Sequence, residues 1–318
     1  MTESRSEPLC AHVPLPLFAS VMGIAGLGLV WRAAEEAWGL APVVSVAATV
    51  AAAVVFVVLL ALYVCKSVRY RSRVMVELAH PVRINFLPTL SINLILLGIL
   101  SRPWLGPVSD GLWQAGALLQ LILTIVIVNV WFEAERPADS INPAWFIPAV
   151  GNVLVPLAAI PSGQELVAWF FMSIGLFFWV ILGTMVFYRL VTKPPMQPPM
   201  QPTLVVMLAP PSVAFLSWLQ IAGELNGPGY FFYAVALLTF LVLLPQLPRF
   251  FRLPFFPSWW AYTFPLAAFT VSSLAFVEQY GLEPGAIQIG LVALTTAVIL
   301  LVAGRTIVAV ARGEMSKH

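Results

Sequence analysis

The sequence predicts an all-α integral membrane protein with ten transmembrane helices, and three observations carry this prediction. Hydrophobic residues make up 60% of the 318 residues and charged residues only 9%, whereas a soluble domain has about 25% charged residues. Ten apolar stretches each approach the roughly 20 residues that cross a bilayer. Prolines recur inside alternate stretches. These features exclude a soluble globular fold.

The ten predicted spans follow one another along the chain. Their approximate limits are 15–34, 42–65, 84–100, 112–132, 143–160, 165–190, 203–221, 229–247, 258–278 and 286–311. The third and fifth spans are short. Arg102-Pro103 and Pro161-Ser162-Gly163 predict where they end, because proline and glycine interrupt helices.

The basic residues predict the orientation of these spans. If the N-terminus is cytoplasmic, fourteen of the sixteen Lys and Arg residues fall on the cytoplasmic side, and only Arg32 and Arg102 fall outside. Cytoplasmic loops of membrane proteins are enriched in Lys and Arg. We therefore predict an even number of spans with both termini in the cytoplasm.

Five prolines mark the odd-numbered spans at intervals of 55 to 72 residues: Pro16, Pro88, Pro148, Pro210 and Pro265. An interior proline removes a helix hydrogen bond, and a bilayer tolerates the break where protein or a water-lined cavity receives the freed groups. The odd spans all run in one direction. We therefore predict five helical hairpins, each with a proline-kinked inner helix and a straight outer helix, around a central pore. Proline is common in membrane helices, so any one of them taken alone also has a purely structural interpretation.

Small or weakly polar residues near these prolines are candidates for lining the pore. They are Ser20, Thr89, Asn152, Ser212 and Thr263. Small residues also allow close helix packing, and the sequence leaves this alternative open. No ionisable residue lies near the middle of a predicted span, which argues against a proton relay.

The charge pattern favours anions over cations. The predicted inner loops are basic, which raises the local concentration of anions, and no acidic ring of the kind common in cation channels is present. Two cysteines and three scattered histidines form no metal-ligand spacing, so we predict no metal or cofactor. Nucleic acid is not an expected partner.

The segment Pro257–Leu266, with the sequence PSWWAYTFPL, resembles the W-W-A-Y-[ST]-F-P stretch of the tellurite-resistance/dicarboxylate transporter family. That family includes the slow-type anion channels of plant guard cells. Other similarities follow in the expected order at Phe18–Gly23, Ile141–Pro148, Val150–Asn152 and Ala209–Ala214. The resemblance extends from about residue 13 to residue 310.

This resemblance implies ten helices in a quasi-fivefold arrangement of hairpins, one pore per subunit and a homotrimer. It also implies that Phe264 plugs the pore. An apolar ring in a narrow passage excludes water and so blocks ions. From the sequence alone, Phe264 could equally face lipid or a packed core. The plant members have large cytosolic tails, whereas this chain is predicted to be a single transmembrane channel domain, 1–318, with short tails at about 1–12 and 312–318.

The resulting prediction is a bacterial-type passive anion channel of the plasma membrane that conducts chloride or nitrate. The alternative is a secondary transporter or efflux protein for dicarboxylates, sulfite or tellurite-type oxyanions. A membrane enzyme or an assembly scaffold is disfavoured, because the sequence offers no nucleophile, metal-ligand set or acid–base pair. The expected partners are small inorganic anions, the lipid bilayer and further copies of the chain.

Overall fold

The computed structural model describes residues 8–133 and 137–313, and this part of the chain consists of helices and loops. Residues 1–7, 134–136 and 314–318 lie outside the described residues, together with the outer ends of both predicted tails and the basic residues Arg5, Arg136 and Lys317. Within the described ranges, nine helical segments are long and apolar enough to cross a membrane. The protein is therefore a multi-pass membrane protein. The fifth predicted span, Pro143–Ala159, is apolar but shorter than the other nine.

The helices follow the predicted spans closely. The α-helices are α1 (Ala19–Ala37), α2 (Val43–Arg69), α3 (Arg71–Ala79), α4 (Thr89–Leu105), α5 (Pro107–Glu133), α6 (Phe146–Val150), α7 (Pro156–Ala159), α8 (Glu165–Thr192), α9 (Ala209–Ala222), α10 (Gly227–Leu243), α11 (Leu247–Phe251), α12 (Thr263–Gln279) and α13 (Ala286–Ala311). The 3-10 helices are Leu9–His12, Leu15–Phe18, Arg83–Phe86, Ala138–Ser140, Pro143–Trp145, Gly151–Leu154, Pro198–Leu208, Leu244–Gln246 and Pro257–Tyr262.

Four of the five even-numbered predicted spans are continuous α-helices, whereas the eighth, predicted to be straight, is interrupted near its end. Helices α2, α5, α8 and α13 each have 26 to 28 residues, and α10 has 17 before a 3-10 turn at Pro245 leads into α11. In the most apolar 18-residue stretch of each of these spans, between 11% and 33% of the residues are buried. An unbroken helix satisfies its own backbone groups, as a segment facing lipid must.

The odd-numbered predicted spans change helix type part-way. The first, third, seventh and ninth begin as 3-10 helix and continue as α1, α4, α9 and α12. The fifth alternates between short 3-10 segments and the short helices α6 and α7. In the four long odd-numbered spans, 50% to 78% of the residues in the most apolar 18-residue stretch are buried. Surrounding protein can therefore receive the backbone groups that these interruptions leave without a helix bond.

The third span ends later than predicted, because Pro103 lies inside α4 rather than after it. Proline has no N–H, so the carbonyl of Ile99, four residues earlier, loses its usual donor. Arg32 Nη1 donates to that carbonyl at 3.1 Å, and Arg32 Nη2 donates to the carbonyl of Leu100. A side chain from α1 thus supplies the missing hydrogen bond, and the helix continues to Leu105.

Helices α1 and α12 pack closely because glycine leaves room between them. A Cβ atom added to Gly23 would lie 2.3 Å from Thr263 Oγ1 and 2.9 Å from Trp260 Cε3. One added to Gly26 would lie 2.8 Å from Ala267 Cβ. Any larger side chain at these positions would push the start of α12 away from α1.

Candidate functional site

A cavity of about 70 Å³ lies where the five odd-numbered spans converge, and we call it the central cavity. Each of the five spans contributes to its wall, for example through Met22, Thr89, Val150, Pro210 and Phe264. A single water needs at least about 10–15 Å³, so the cavity has only the volume of a few water molecules. The wall is almost entirely apolar, and none of the described residues that line it is ionisable.

The junctions between 3-10 and α-helix position this wall. Pro88 precedes the first residue of α4, Pro210 is the second residue of α9, and Pro265 is the third residue of α12. Proline fits the first turn of a helix because its missing N–H would have no partner there. The prolines therefore lie where the helix type changes at little energetic cost.

Phe264 lies on the wall of the central cavity and is 6% exposed. Its neighbour across the packing contact is Gly26, where an added Cβ atom would come within 3.6 Å of Phe264 Cδ2. Trp260 and Ala261, one turn earlier, line the same cavity. The ring is thus held between α1 and the space that the five spans enclose.

Of the five residues predicted to line the pore, four are buried but do not line the central cavity: Ser20, Asn152, Ser212 and Thr263. Asn152 Nδ2 donates to Thr124 Oγ1 at 3.0 Å, towards the outer helix α5. The hydroxyls of Ser212 and Thr263 donate to backbone carbonyls in their own spans. Ser20 is 4% exposed. Only Thr89 of the five lines the cavity, and its hydroxyl also donates to a carbonyl of its own span, that of Phe86, at 2.6 Å.

The five predicted proline positions fall in different surroundings. Pro210 and Pro265 line the central cavity, and Pro16 lines a second, larger cavity described below. The carbonyl of Pro88 accepts from Ser91 Oγ, and that of Pro148 accepts from Gln120 Nε2 at 2.9 Å. Their role as kinks of pore helices stays a prediction.

A second cavity of about 740 Å³, the basic vestibule, lies at the end of the molecule where α2, α3 and the N-terminal segment meet. Lys66, Arg73, Arg83 and Glu77 line it, so positive charge exceeds negative charge. Lys66 Nζ pairs with Glu77 Oε2 at 3.0 Å and donates to the carbonyl of Val13 at 2.8 Å. This buried pair fixes the start of the first span against α2 and α3.

His80 also lines the basic vestibule. Its Nδ1 accepts from the backbone N–H of Val82 at 3.1 Å. Partial burial, and then the positive charge of Arg83, lower the pKa of His80. The imidazole is therefore neutral at pH 7, and it adds positive charge to the vestibule only in acid.

Phe86 lines both the central cavity and the basic vestibule, so it marks the boundary between them. Sequence reasoning missed this residue. Its position two residues before Pro88, in a span already singled out by that proline, was the available signal. Gln120 was missed for a different reason, since it lies on an outer helix and only the packing shows that it joins two inner spans.

Arg32 and Arg102, the two basic residues predicted to lie on the outer side, are found at the opposite end of the molecule from the basic vestibule. A cavity of about 190 Å³ is lined by Arg32, Arg102 and Asp110. Arg102 Nη1 donates to Ser162 Oγ at 2.7 Å and lies 3.8 Å from Asp110 Oδ1. Arg32 ties α1 to α4, and Arg102 ties α4 to the segment after α7. These arginines therefore join neighbouring inner spans.

Comparison with known proteins assigns the chain to a family. The family model described as voltage-dependent anion channel, SLAC1, matches residues 12–307. The S-type anion channel SLAH2 of Arabidopsis thaliana is 24% identical over 317 residues, which cover 96% of this chain and 61% of that protein. This chain thus spans about three fifths of that plant relative.

Two prokaryotic relatives match more of their own length. An uncharacterized transporter of Methanocaldococcus jannaschii is 26% identical over 257 residues, covering 72% of this chain and 74% of that protein. The tellurite resistance protein TehA homolog of Haemophilus influenzae is 25% identical over 268 residues, covering 83% and 81%. As the resemblance at Pro257–Leu266 predicted, this chain belongs to the SLAC1 family of anion channels and transporters, which are not enzymes.

Proposed function

We propose that this protein is a passive anion channel of the plasma membrane that conducts small monovalent anions such as chloride and nitrate. In this proposal, ten spans form five hairpins around one pore, and the chain from 1 to 318 is a single channel domain with both termini in the cytoplasm. The observation that carries it is the central cavity, because all five odd-numbered spans contribute to its wall and Phe264 lies on it.

The basic vestibule supports the choice of anions. It opens next to the central cavity at Phe86, and its excess of positive charge raises the local concentration of anions. An ion then enters a passage without fixed charge, binds weakly and can leave quickly. Thr89 donates its hydroxyl hydrogen to its own span and does not offer it to an ion.

Phe264 is the proposed gate. Its ring keeps the central cavity too small and too apolar for a column of water, and an ion cannot leave water for such a space. A weakly polar passage favours anions that lose their hydration easily. We therefore expect nitrate to pass more readily than chloride.

Planar-bilayer recording of the purified protein and of Phe264→Ala tests the gate. We expect anion current to rise by about tenfold or more, the factor given by lowering a barrier by about 1.4 kcal/mol. The matched control is Phe269→Ala, which removes an equally buried ring of α12 that does not line the central cavity. If folded Phe264→Ala protein conducts no better than the parent, or no better than Phe269→Ala, the assignment is wrong.

A secondary transporter or efflux protein for dicarboxylates, sulfite or tellurite-type oxyanions is the second candidate. The names of two relatives favour it, since one is called a transporter and the other a tellurite resistance protein. The same recordings separate the two functions. A channel gives a current proportional to the driving force, whereas a carrier saturates with substrate and carries far less charge per second.

The proposed assembly is a homotrimer with one pore in each subunit. The resemblance to the family is its support. Native mass spectrometry of the protein released from detergent gives the number of chains directly. A monomer or dimer as the largest species under conditions that keep the protein folded contradicts the trimer and leaves the channel proposal untouched.

A further inference from the structure

A third feature of the membrane region lies outside the proposed pore. A cavity of about 130 Å³, which we call the lateral pocket, is enclosed by the seventh span, α10, the ninth span and α13. Leu208, Phe240, Leu266 and Val298 represent these four walls. Helices α10 and α13 are among the most exposed in the molecule, so the lateral pocket lies at the edge that faces hydrocarbon.

Two of the side chains that line this pocket carry a hydrogen-bond donor that has no acceptor in the described chain. Trp259 Nε1 and Tyr262 Oη are both buried without a hydrogen-bond partner, and both side chains line the pocket. Trp259 is only 8% exposed. An unpartnered buried polar group costs about 1–3 kcal/mol, and such groups in a native structure point to a missing partner.

The remaining wall indicates the chemistry of that partner. Apart from Trp259 and Tyr262, every side chain that lines the pocket is a hydrocarbon. An apolar cavity of about 150 Å³ stays free of water and takes hydrocarbon guests. The occupant therefore needs a hydrocarbon portion for the wall and an oxygen acceptor for the two donors. An acyl chain with its ester carbonyl has both.

Positive charge lies near the same rim. Arg305 is exposed and follows Val302, a pocket residue, by three positions on α13, so the two lie on one face of the helix. Arg252 is exposed two residues after Phe250, another pocket residue. Basic residues at a membrane surface attract anionic lipid headgroups.

We propose that the lateral pocket binds an anionic phospholipid. One acyl chain fills the pocket, an ester carbonyl accepts from Trp259 Nε1 and Tyr262 Oη, and the phosphate lies near Arg305 and Arg252. In the proposed orientation this lipid belongs to the cytoplasmic leaflet.

The position of the lateral pocket allows a bound lipid to affect the movement of Phe264, the proposed gate. Trp260, Ala261 and Phe264 line the central cavity, whereas Trp259, Tyr262 and Leu266 of the same turns line the lateral pocket. The start of α12 thus lies between the two spaces. A lipid that fills the lateral pocket limits how far this segment can move outward when the ring of Phe264 swings aside. This regulatory effect rests on the proposed channel function, and the lipid site itself does not.

Photolabelling tests the site without reference to transport. The protein is placed in phosphatidylcholine vesicles that contain a small amount of phosphatidylglycerol carrying a diazirine on one acyl chain. After illumination, labelled peptides are identified by mass spectrometry. We expect the label to concentrate on the lining residues of the ninth span and α13, and unlabelled phosphatidylglycerol to compete better than unlabelled phosphatidylcholine.

A pair of variants on one helix provides the control. Val298→Trp fills the pocket from α13 and should reduce its labelling about tenfold, the effect of about 1.4 kcal/mol in binding. Leu300→Trp places the same ring two residues away at a position that is exposed and does not line the pocket. It should leave labelling unchanged. Tyr262→Phe keeps the ring, removes only the hydroxyl and should weaken labelling severalfold.

Three outcomes would overturn the proposal. Equal labelling of Val298→Trp and Leu300→Trp would mean that the pocket holds no lipid. Label spread evenly over every exposed helix would indicate only the surrounding bilayer. A chemical cross-link from the pocket to a second copy would assign this face to assembly. If pocket labelling succeeds and the protein carries no anion current, the lipid site stands and the channel proposal fails.

Discussion

The interrupted inner spans and the continuous outer helices of this protein differ in burial and in hydropathy, and the two properties run in opposite directions. The four long inner spans are the most buried, yet each has a lower mean hydropathy than any of the five outer spans, four of which are continuous helices. In a soluble protein the most apolar segments are the buried ones. Here lipid is the solvent, so the most apolar segments face outward and the inner spans can hold glycine, proline and hydroxyl groups.

The same difference explains where breaks in the backbone are found. A 3-10 segment or an early proline leaves carbonyls without a helix donor, and lipid offers none. Inside the bundle, side chains supply them, as Arg32 does for Ile99 and Gln120 does for Pro148. Interruptions of the α-helical hydrogen bonding and the polar side chains that compensate for them therefore occur together on the inner spans.

The most direct test of this difference between inner and outer spans is to substitute the same larger residue for a glycine in each. Gly23→Val forces a branched side chain against Thr263 Oγ1, which already lies 2.3 Å from the position of a single added Cβ atom. Overpacking of this kind costs about 3 kcal/mol or more at a rigid contact. We expect loss of folded protein, measured as the monodisperse fraction in fluorescence-detected size exclusion after heating.

The control for that experiment is Gly290→Val on α13, where nothing lies within 4 Å of an added Cβ atom. Replacing a helical glycine there removes its conformational entropy cost, so stability should stay the same or rise slightly. Equal losses at both positions would show that the inner and outer sets do not differ in packing.

A smaller effect is expected from removing one amide from each side of α5. Gln120 is fully buried, accepts from Ser91 Oγ at 2.6 Å and donates to the carbonyl of Pro148. Gln120→Leu removes both hydrogen bonds, each worth about 1 kcal/mol, although Ser91 Oγ still donates to the carbonyl of Pro88 and the carbonyl of Pro148 still accepts from Thr124 Oγ1. Asn129 on the exposed side donates to the carbonyl of Ile125 in its own helix. Thermal unfolding should show a clear loss for Gln120→Leu and almost none for Asn129→Leu.

The smallest effect is expected from a disulfide bond between the segment that precedes the first inner span and an outer helix. Cys10 lies in the 3-10 segment before the first inner span and Cys65 on the outer helix α2, with their Sγ atoms 3.0 Å apart. The pKa of the Cys10 thiol is raised by its hydrogen bond with Cys65 and by burial. The Cys10 thiol is therefore protonated at pH 7, and a mild oxidant should react slowly with it there and faster at higher pH.

Diamide should oxidise these two thiols to a disulfide, and the two electrons and two protons that the thiols lose reduce the N=N bond of diamide to a substituted hydrazine. The product is detected as the loss of two hydrogens and as a linked peptide in mass spectrometry. Cys10→Ser abolishes it. A protein that stays fully reduced at alkaline pH would contradict the packing of the N-terminal segment against α2.

Much of the fold could be predicted from the sequence, because the apolar segments are long and the family stretch at Pro257–Leu266 is specific. The errors occurred where a distant side chain changes a local rule. Pro103 does not end its helix, because Arg32 replaces the lost donor. Residues such as Phe86 and Gln120 gain their importance from neighbours that are far away in sequence.

By itself, the sequence determined the membrane environment, the limits of most spans and the membership of an anion channel and transporter family. Hydropathy and local motifs are properties of contiguous residues, so no tertiary contact is needed to read them. Only the tertiary structure decided which faces meet at the centre, and hence that Thr89 lines the central cavity while Ser20 and Ser212 do not. The reason lies in the 3-10 segments, which turn about 120° per residue where an α-helix turns about 100°. Four such residues rotate every later side chain by about 80°, and packing sets the length of each segment.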